Sequence, residues 1–304
     1  MNKQKIVVVG SSNTDMVVKA HHFPQPGETI LGGDFYIFQG GKGANQAVAS
    51  ARAGGNVVFI CKVGNDAFGN SAIQHYQQEG IDVNAIVIDD AAPTGVALIT
   101  LNAEGENTIV VASGANALLS KEVISNAGFV FADASYIITQ LETPIATIEY
   151  LAAIAKAEDK KLILNPAPAA AIPAIILDGL FLITPNESET ALLTGIHVKD
   201  ETTANEAVNI FKDKGVQNVI ITLGSKGAYV ACSDFEGFIP AYKVKAVDTT
   251  AAGDVFNGAL VVALADGQSW KEAVEFASKA AAISVTKLGA QTSAPYLNEI
   301  ITFN

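Results

Sequence analysis

Tryptophan occurs once, cysteine and methionine twice each, and histidine four times in these 304 residues, and these scarcities narrow what the protein can do. Cys61 and Cys232 stand singly in apolar runs, without the paired spacing of a zinc site or a disulfide framework. They read as buried thiols of a reducing compartment. His21, His22, His75 and His197 show no ligand spacing or partner motif, so they read as surface or loop residues rather than metal ligands or bases. Trp270 follows a turn and reads as packing at a helix start. Positive charge is also sparse: 19 Lys and Arg face 31 Asp and Glu, a formal net charge of −12. No Lys/Arg run is present to neutralise a row of phosphates, so neither nucleic acid nor an anionic membrane is an expected partner. No stretch of about 18 uninterrupted apolar residues occurs, and the amino terminus enters a strand pattern without a cleavable apolar segment. A cytoplasmic protein is expected.

Apolar residues are plentiful at 49%, against 16% charged, which supports a sizeable core and independent folding. The length suits one large α/β domain or two ordinary ones. Short apolar runs at 6–9, 57–63, 136–139, 161–164, 180–184 and 219–223 read as strands. Helical patterns at 43–53, 69–79, 143–157, 188–193 and 203–214 lie between them, and this alternation predicts βαβ units on a parallel sheet with helices on both faces. Residues 34–39, 94–101 and 108–112 read as strands with no intervening helix, an antiparallel insertion. Such an insertion either covers a cleft or simply extends an edge. Without repeats or a low-complexity linker, the chain reads as one cooperative unit.

Two strings carry chemistry. Asp248-Thr249-Thr250-Ala251-Ala252-Gly253-Asp254 precedes an apolar helical run, 255–264. Its small residues permit close backbone approach, and free N–H groups at the helix start make an anion site. Asp254 falls in the first helical turn, where a lone Asp commonly does no more than favour the helix dipole. The second string, Gly40-Gly41-Lys42-Gly43-Ala44-Asn45-Gln46, runs into a helix. It is not a Walker loop, because Lys42 is followed by Gly43 rather than Ser or Thr, and no GxGxxG dinucleotide fingerprint occurs. Its glycines suit a tight turn, while Lys42 and Asn45 add groups suited to sugar hydroxyls.

With both strings in this order, the chain resembles the PfkB family of carbohydrate kinases, and within it the ribokinases, over essentially its whole length. The glycine-rich signature matches 40–49 and the carboxy-terminal signature 248–258. Asn13-Thr14-Asp15, Glu142 and Asn186-Glu187-Ser188-Glu189 fall where these kinases carry functional residues. The resemblance implies a single ribokinase-like α/β domain over 1–304: a central, mostly parallel sheet flanked by helices, with a β lid from about 12–40 and 93–113. It implies ATP-dependent phosphorylation of D-ribose at O5, giving D-ribose 5-phosphate and ADP. A family member acting on deoxyribose, fructose or a nucleoside is the nearest alternative, and a non-catalytic sugar-binding regulator a more distant one.

Carried over by residue, the resemblance implies that Asn13, Thr14, Asp15, Gly41, Lys42, Gly43, Ala44, Asn45 and Glu142 bind the sugar. Asp254 then takes the proton from the attacking hydroxyl, while the amides of Ala251, Ala252, Gly253 and Asp254 stabilise the developing charge. Asn186 and Glu189 act near Mg²⁺ and the phosphates, their spacing of three placing both on one helix face. Thr222, Leu223, Gly224, Ser225, Lys226 and Gly227, an ordinary strand-end turn on its own, binds the nucleotide. Ser278 stands at the adenine position where many of these kinases have Asn or His. A monovalent cation, K⁺, is expected at Asp248, Thr250, Ser284, Lys287, Gly289 and Ser293, where only Asp248 has a side chain that by itself suggests a cation. The Lys287 ammonium is a competitor for that ion. A homodimer paired through the lids is expected, since Val96-Ala97-Leu98-Ile99 leaves a small sheet with an apolar face needing cover.

Overall fold

A computed structural model describes residues 3–303; residues 1, 2 and 304 lie outside it. The strands are β1 (Lys5–Val9), β2 (Asn13–Lys19), β3 (Phe35–Gly40), β4 (Asn56–Ile60), β5 (Lys62–Gly64), β6 (Val87–Asp89) and β7 (Gly95–Leu101). They continue as β8 (Asn107–Ala112), β9 (Ala134–Thr139), β10 (Lys161–Leu164), β11 (Leu182–Ile183), β12 (Asn218–Thr222), β13 (Ala228–Ala231) and β14 (Glu236–Ile239). The helices are α1 (Lys42–Arg52), α2 (Ala67–Gln78), α3 (Lys121–Asn126), α4 (Ile145–Ala157) and α5 (Ala174–Leu177). After these come α6 (Glu187–Thr194), α7 (Glu201–Asp213), α8 (Ala252–Ala265), α9 (Trp270–Ser284) and α10 (Leu297–Thr302).

Eight strands form the main sheet in the order β14-β13-β12-β11-β10-β9-β1-β4. Strands β4, β1, β9, β10, β11 and β12 pair in parallel, and β13 and β14 add an antiparallel edge. Strand β1 is a continuous apolar run because both its faces are covered. Ile6 and Val8 join one core with residues of α1, α8 and α9, whereas Val7 and Val9 join the other with residues of α4 and α7. That is the period of two at work in a three-layer α/β/α body. The apolar run at 57–63 is interrupted: β4 ends at Ile60, and β5 leaves to pair with β6. The β13–β14 hairpin goes beyond the strands expected from the sequence.

A second sheet of four strands has the order β3-β2-β7-β8. The expected insertion is antiparallel, but β2 pairs in parallel with β7, so the sheet is mixed. Its unexpected strand is β2 itself, whose opening residues Asn13, Thr14 and Asp15 are too polar to read as a strand. Phe35, Ile37, Leu98, Ile109, Val110 and Val111 leave much apolar surface exposed on this sheet.

One contact fixes the centre of the molecule. Helix α8 is buried at almost every position from Asp254 to Ala265 and packs on α1. Glycine at 258 allows this, because a Cβ there would lie 2.7 Å from Ala49 Cβ, 2.8 Å from the Gln46 carbonyl oxygen and 2.9 Å from Ser50 N. Ser50 Oγ donates to the Gly258 carbonyl at 3.1 Å. Residues four apart share a helix face, so this contact sets Asp254, one turn before Gly258, opposite Gln46, one turn before Ser50.

Candidate active site

Asp254 lies in the first turn of α8, but its carboxylate makes no bond to the amides of its own helix. Oδ2 accepts from Asn45 Nδ2 at 2.9 Å and Oδ1 from Gln46 Nε2 at 3.0 Å. The residue is only 4% exposed. A capping Asp would accept backbone N–H groups instead, and that difference sets aside a capping role for this residue. Ala251 stands in the left-handed region, φ 58°, where the helix begins. Among the described residues, the N–H groups of Ala251, Gly253 and Asp254 find no acceptor, while Ala252 N reaches the Thr249 carbonyl at 3.3 Å. Three unpaired N–H groups beside a carboxylate can offer donors to an anion next to a proton acceptor.

The glycine-rich string begins α1. Gly41, φ 88°, precedes the helix, and a Cβ at Gly43 would meet the backbone of Gly10 at 2.6 Å. Lys42 N donates to Glu142 Oε2 at 2.9 Å, and Ser11 Oγ donates to the same oxygen at 2.5 Å. Gly43 N reaches Ser11 Oγ at 3.3 Å, and Ala44 N the Ser11 carbonyl at 2.9 Å. Asn13 and Thr14 are buried at the start of β2, with Asn116 Nδ2 donating to Asn13 Oδ1 at 2.7 Å. Gly40 leaves room for Asp15, since a Cβ there would come within 2.4 Å of all three carboxyl atoms. A cleft of about 840 Å³ runs between the small sheet, at Asp15, Val17, Phe38 and Ile99, and the body at Asp248 and Gly289. A second cavity, about 360 Å³, is lined by Asn13, Asn116 and Glu142.

The charges are unbalanced, with Asp15, Glu142, Glu189 and Asp254 around the single ammonium of Lys42. Burial, with Glu142 and Asp254 adding repulsion, pushes Asp15 up to about 6. Asp254 holds the Lys42 ammonium above its usual value against burial, and Glu142 and Glu189 contribute. Burial also pushes Glu189 up, opposed by the Asn186 N–H and Lys42 and aided by Asp254. These couplings place Glu189 within the electrostatic reach of Asp254.

Asn186 and Glu189 do not share a helix face as the spacing suggested. Asn186 is the N-cap of α6: its Oδ1 accepts from Glu189 N at 2.8 Å, and Glu189 Oε2 accepts from Asn186 N at 2.8 Å, a capping box. Asn186 also bridges Thr222 in parallel fashion, which brings the 222–227 turn alongside; there Lys226 Nζ pairs with Glu187 at 2.9 Å and Gly227 takes φ 111°. Ser278 sits midway along α9, half-buried, on a helix that packs against α8.

Asp248 is the hub of its loop. Oδ1 accepts from Thr250 N at 2.9 Å and Thr250 Oγ1 at 2.6 Å, and Oδ2 accepts from Gly289 N at 2.9 Å. Burial pushes its carboxyl up, but these bonds outweigh that and hold it low. Ser284 and Ser293, on either side of Gly289 in the chain, are buried, without a bond to Asp248. Lys287 is no competitor for a cation, because its ammonium pairs with Glu299 Oε1 at 2.6 Å. His75 departs from the surface reading: it is half-buried on α2, and its Nε2 has no partner among the described residues.

Several residues here were given no role of their own from the sequence: Ser11, Gln46, Asn116, and Gln140 and Asn165, which both bond to Gln46. A signal existed for three of them. Ser11, Gln140 and Asn165 lie within two residues of the carboxyl ends of β1, β9 and β10, where parallel sheets place their ligands.

Comparison with known proteins agrees with this arrangement. Residues 3–297 match the pfkB family carbohydrate kinase profile. A ribokinase of Haemophilus influenzae is 44% identical over 301 residues, covering 99% of this chain and 98% of its own. A solved ribokinase structure from Thermotoga maritima is 41% identical, with TM-score 0.89 and 99% of both chains covered. The Arabidopsis thaliana ribokinase complexed with ribose and ATP is 31% identical, with TM-score 0.92, covering 100% of this chain and 99% of that one. By fold, by glycine-rich start and by the helix that carries Asp254, this chain belongs to the pfkB family of carbohydrate kinases.

Proposed function

We propose that this kinase transfers the γ-phosphoryl group of ATP to O5 of D-ribose, giving D-ribose 5-phosphate and ADP. The observation that carries the reading is Asp254, a buried carboxylate held by side chains of α1 and set beside the free amides of Ala251, Gly253 and Asp254. Phosphoryl transfer needs alignment, a proton acceptor and neutralisation of charge on the moving group. Asp254 takes the O5 proton as O5 bonds to phosphorus and the bond to ADP breaks, and the amides meet the charge on the transferring oxygens.

Asn13, Asp15, Lys42, Asn45 and Glu142 offer donors and acceptors to the sugar hydroxyls. The buried Asn45 Oδ1 has no partner among the described residues, which suits a hydroxyl donor. Asn186, Glu189 and the 222–227 turn take the nucleotide end. The excess of carboxylates over Lys42 leaves the polyphosphate short of positive charge, and Mg²⁺ near Asn186 and Glu189 supplies it when bound. The Asp248 loop offers only oxygen donors, as a hard monovalent ion requires, so Asp248 and the carbonyls of Thr250, Ser284, Lys287, Gly289 and Ser293 would hold K⁺. The exposed apolar surface of the small sheet supports its role as a lid and as the contact of a homodimer, and the free thiols of Cys61 and Cys232 support a cytoplasmic location.

Ribose is favoured by the relatives named ribokinase and by the match to a structure holding ribose and ATP. A coupled ADP-release assay with ribose, deoxyribose, fructose and nucleosides tests this. The highest kcat/KM is expected for ribose; a higher value for another sugar overturns the substrate, and no turnover with any of them overturns the kinase reading.

A further inference from the structure

Gln46 is entirely buried, and both N–H donors and the oxygen of its side-chain amide are engaged. Nε2 donates to Asp254 Oδ1 at 3.0 Å and to Asn165 Oδ1 at 3.1 Å, and Oε1 accepts from Gln140 Nε2 at 2.5 Å. The orientation follows from the partners. A carboxylate only accepts, so Nε2 must face Asp254. Asn165 spends its Nδ2 on the Thr184 carbonyl at 3.3 Å, which leaves its oxygen to accept from Gln46. Gln140 and Asn165 follow directly on β9 and β10, so the amide is clamped from the rigid carboxyl edge of the sheet. Even the backbone makes room for the clamp: a Cβ at Gly10 would lie 2.2 Å from Gln140 Oε1.

We propose that Gln46 is a positioning residue for phosphoryl transfer: clamped by Gln140 and Asn165, its amide pins Asp254 Oδ1 and so presents Oδ2 to the attacking hydroxyl. The inference rests on Asp254 as the proton acceptor. Gln46 has no exposed surface, against 7% for Asn45 and 4% for Asp254, so it acts through Asp254 and not on the sugar. Its effect is on aim. Without it the carboxylate turns about its remaining bond to Asn45, and misplacement of a reacting group by about 1 Å costs roughly 10² in rate.

Two variants test the role. Gln46→Met keeps the volume and removes the donor; kcat is expected to fall about 10²-fold with KM for ribose changed less than about threefold. Combined with Asp254→Asn, it is expected to cost nothing further, since there is no basic oxygen left to aim. Gln140→Glu acts at a distance. Its ionised carboxylate accepts but cannot donate, so the Gln46 amide flips to satisfy it and turns its oxygen toward Asp254. Protonation of the introduced carboxylate restores the donor, so the ratio of variant to wild-type kcat is expected to rise as pH falls from 9 to 6. The charged groups that bear on this centre are Asp254, Lys42, Asp15, Glu142 and Glu189, and all of them are present in both enzymes, so the ratio reads what the introduced carboxyl adds. A folded Gln46→Met enzyme with kcat within threefold of wild type overturns the proposal. So does a Gln140→Glu ratio that is flat with pH, or a loss of kcat matched by the rise in KM. If Asp254→Asn itself stays active, the base assignment has failed instead, and the two failures are told apart.

Discussion

Asp15 should couple sugar binding to pH, and the structure sets both the direction and the size of the effect. Its carboxyl is pushed from the usual 3.8 up to about 6 by burial first, then by Glu142 and Asp254. A rise of that size corresponds to about 3 kcal/mol of unfavourable free energy in the ionised form. In the empty protein the native state therefore holds a proton more tightly than the unfolded chain does. The associated stability is fully present below about pH 4 and is lost as pH rises through about 6. Asp15→Asn cannot ionise, so at pH 7.5 the empty variant should be more stable than wild type by up to about 3 kcal/mol. That gain should vanish near pH 4. Ribose acts in the opposite sense, because its hydroxyls donate to the ionised carboxylate and favour it. KM for ribose should then rise about tenfold between pH 7 and pH 5, while KM for ATP stays level, and ribose binding should release protons within that window. Steady-state kinetics from pH 5 to 8, with calorimetry in buffers of different ionisation enthalpy, read both effects. A ribose KM that is flat across the range, together with an Asp15→Asn protein that melts at the wild-type temperature at pH 7.5, refutes the reasoning.

Replacing Asp254 with Asn preserves shape and deletes the basic oxygen, so kcat should drop about 10² to 10⁴-fold with the melting temperature and ribose affinity retained; a loss under tenfold returns Asp254 to the rank of a structural residue. Potassium should raise kcat severalfold over sodium or no monovalent ion, because a cation at Asp248 stiffens the loop leading to the anion site. With Lys287 tied to Glu299, no ammonium substitutes for it, and equal rates in potassium-free tetramethylammonium buffer count against the site. Light scattering at micromolar concentration should give a dimer mass, and a monomer would remove the small sheet from consideration as an interface.

The fold was largely legible because β1, β9, β10 and β12 are apolar runs bounded by helical patterns, and two-sided burial in a parallel sheet demands such runs. Strand β2 was hidden by its own polarity, since Asn13, Thr14 and Asp15 put polar side chains where a strand signal would start. The two signature strings gave the site's location but not its wiring. Nothing in the spacing 186–189 distinguishes a capping box from a ligand pair, and the structure shows at least the first. The bonds from Asn45 and Gln46 to Asp254 cross 209 and 208 residues, a separation over which local pattern carries no information. Gly258 reads as an ordinary weak point in a helix until Ala49 and Ser50 are seen against it.

The contact between α1 and α8 also has a bearing on biosynthesis. At about 5 to 20 residues per second, some 10 to 40 s separate the emergence of Gln46 from that of Asp254. For that interval the face of α1 carrying Asn45, Gln46 and Ser50 has no partner helix. On the proposed mechanism, a nascent chain or a fragment clipped before α8 lacks base and anion site together, so it has no partial activity to express. Catalysis thus begins only when the two ends of the chain have met, and the appearance of kinase activity during translation serves as a clock for the last long-range step of folding.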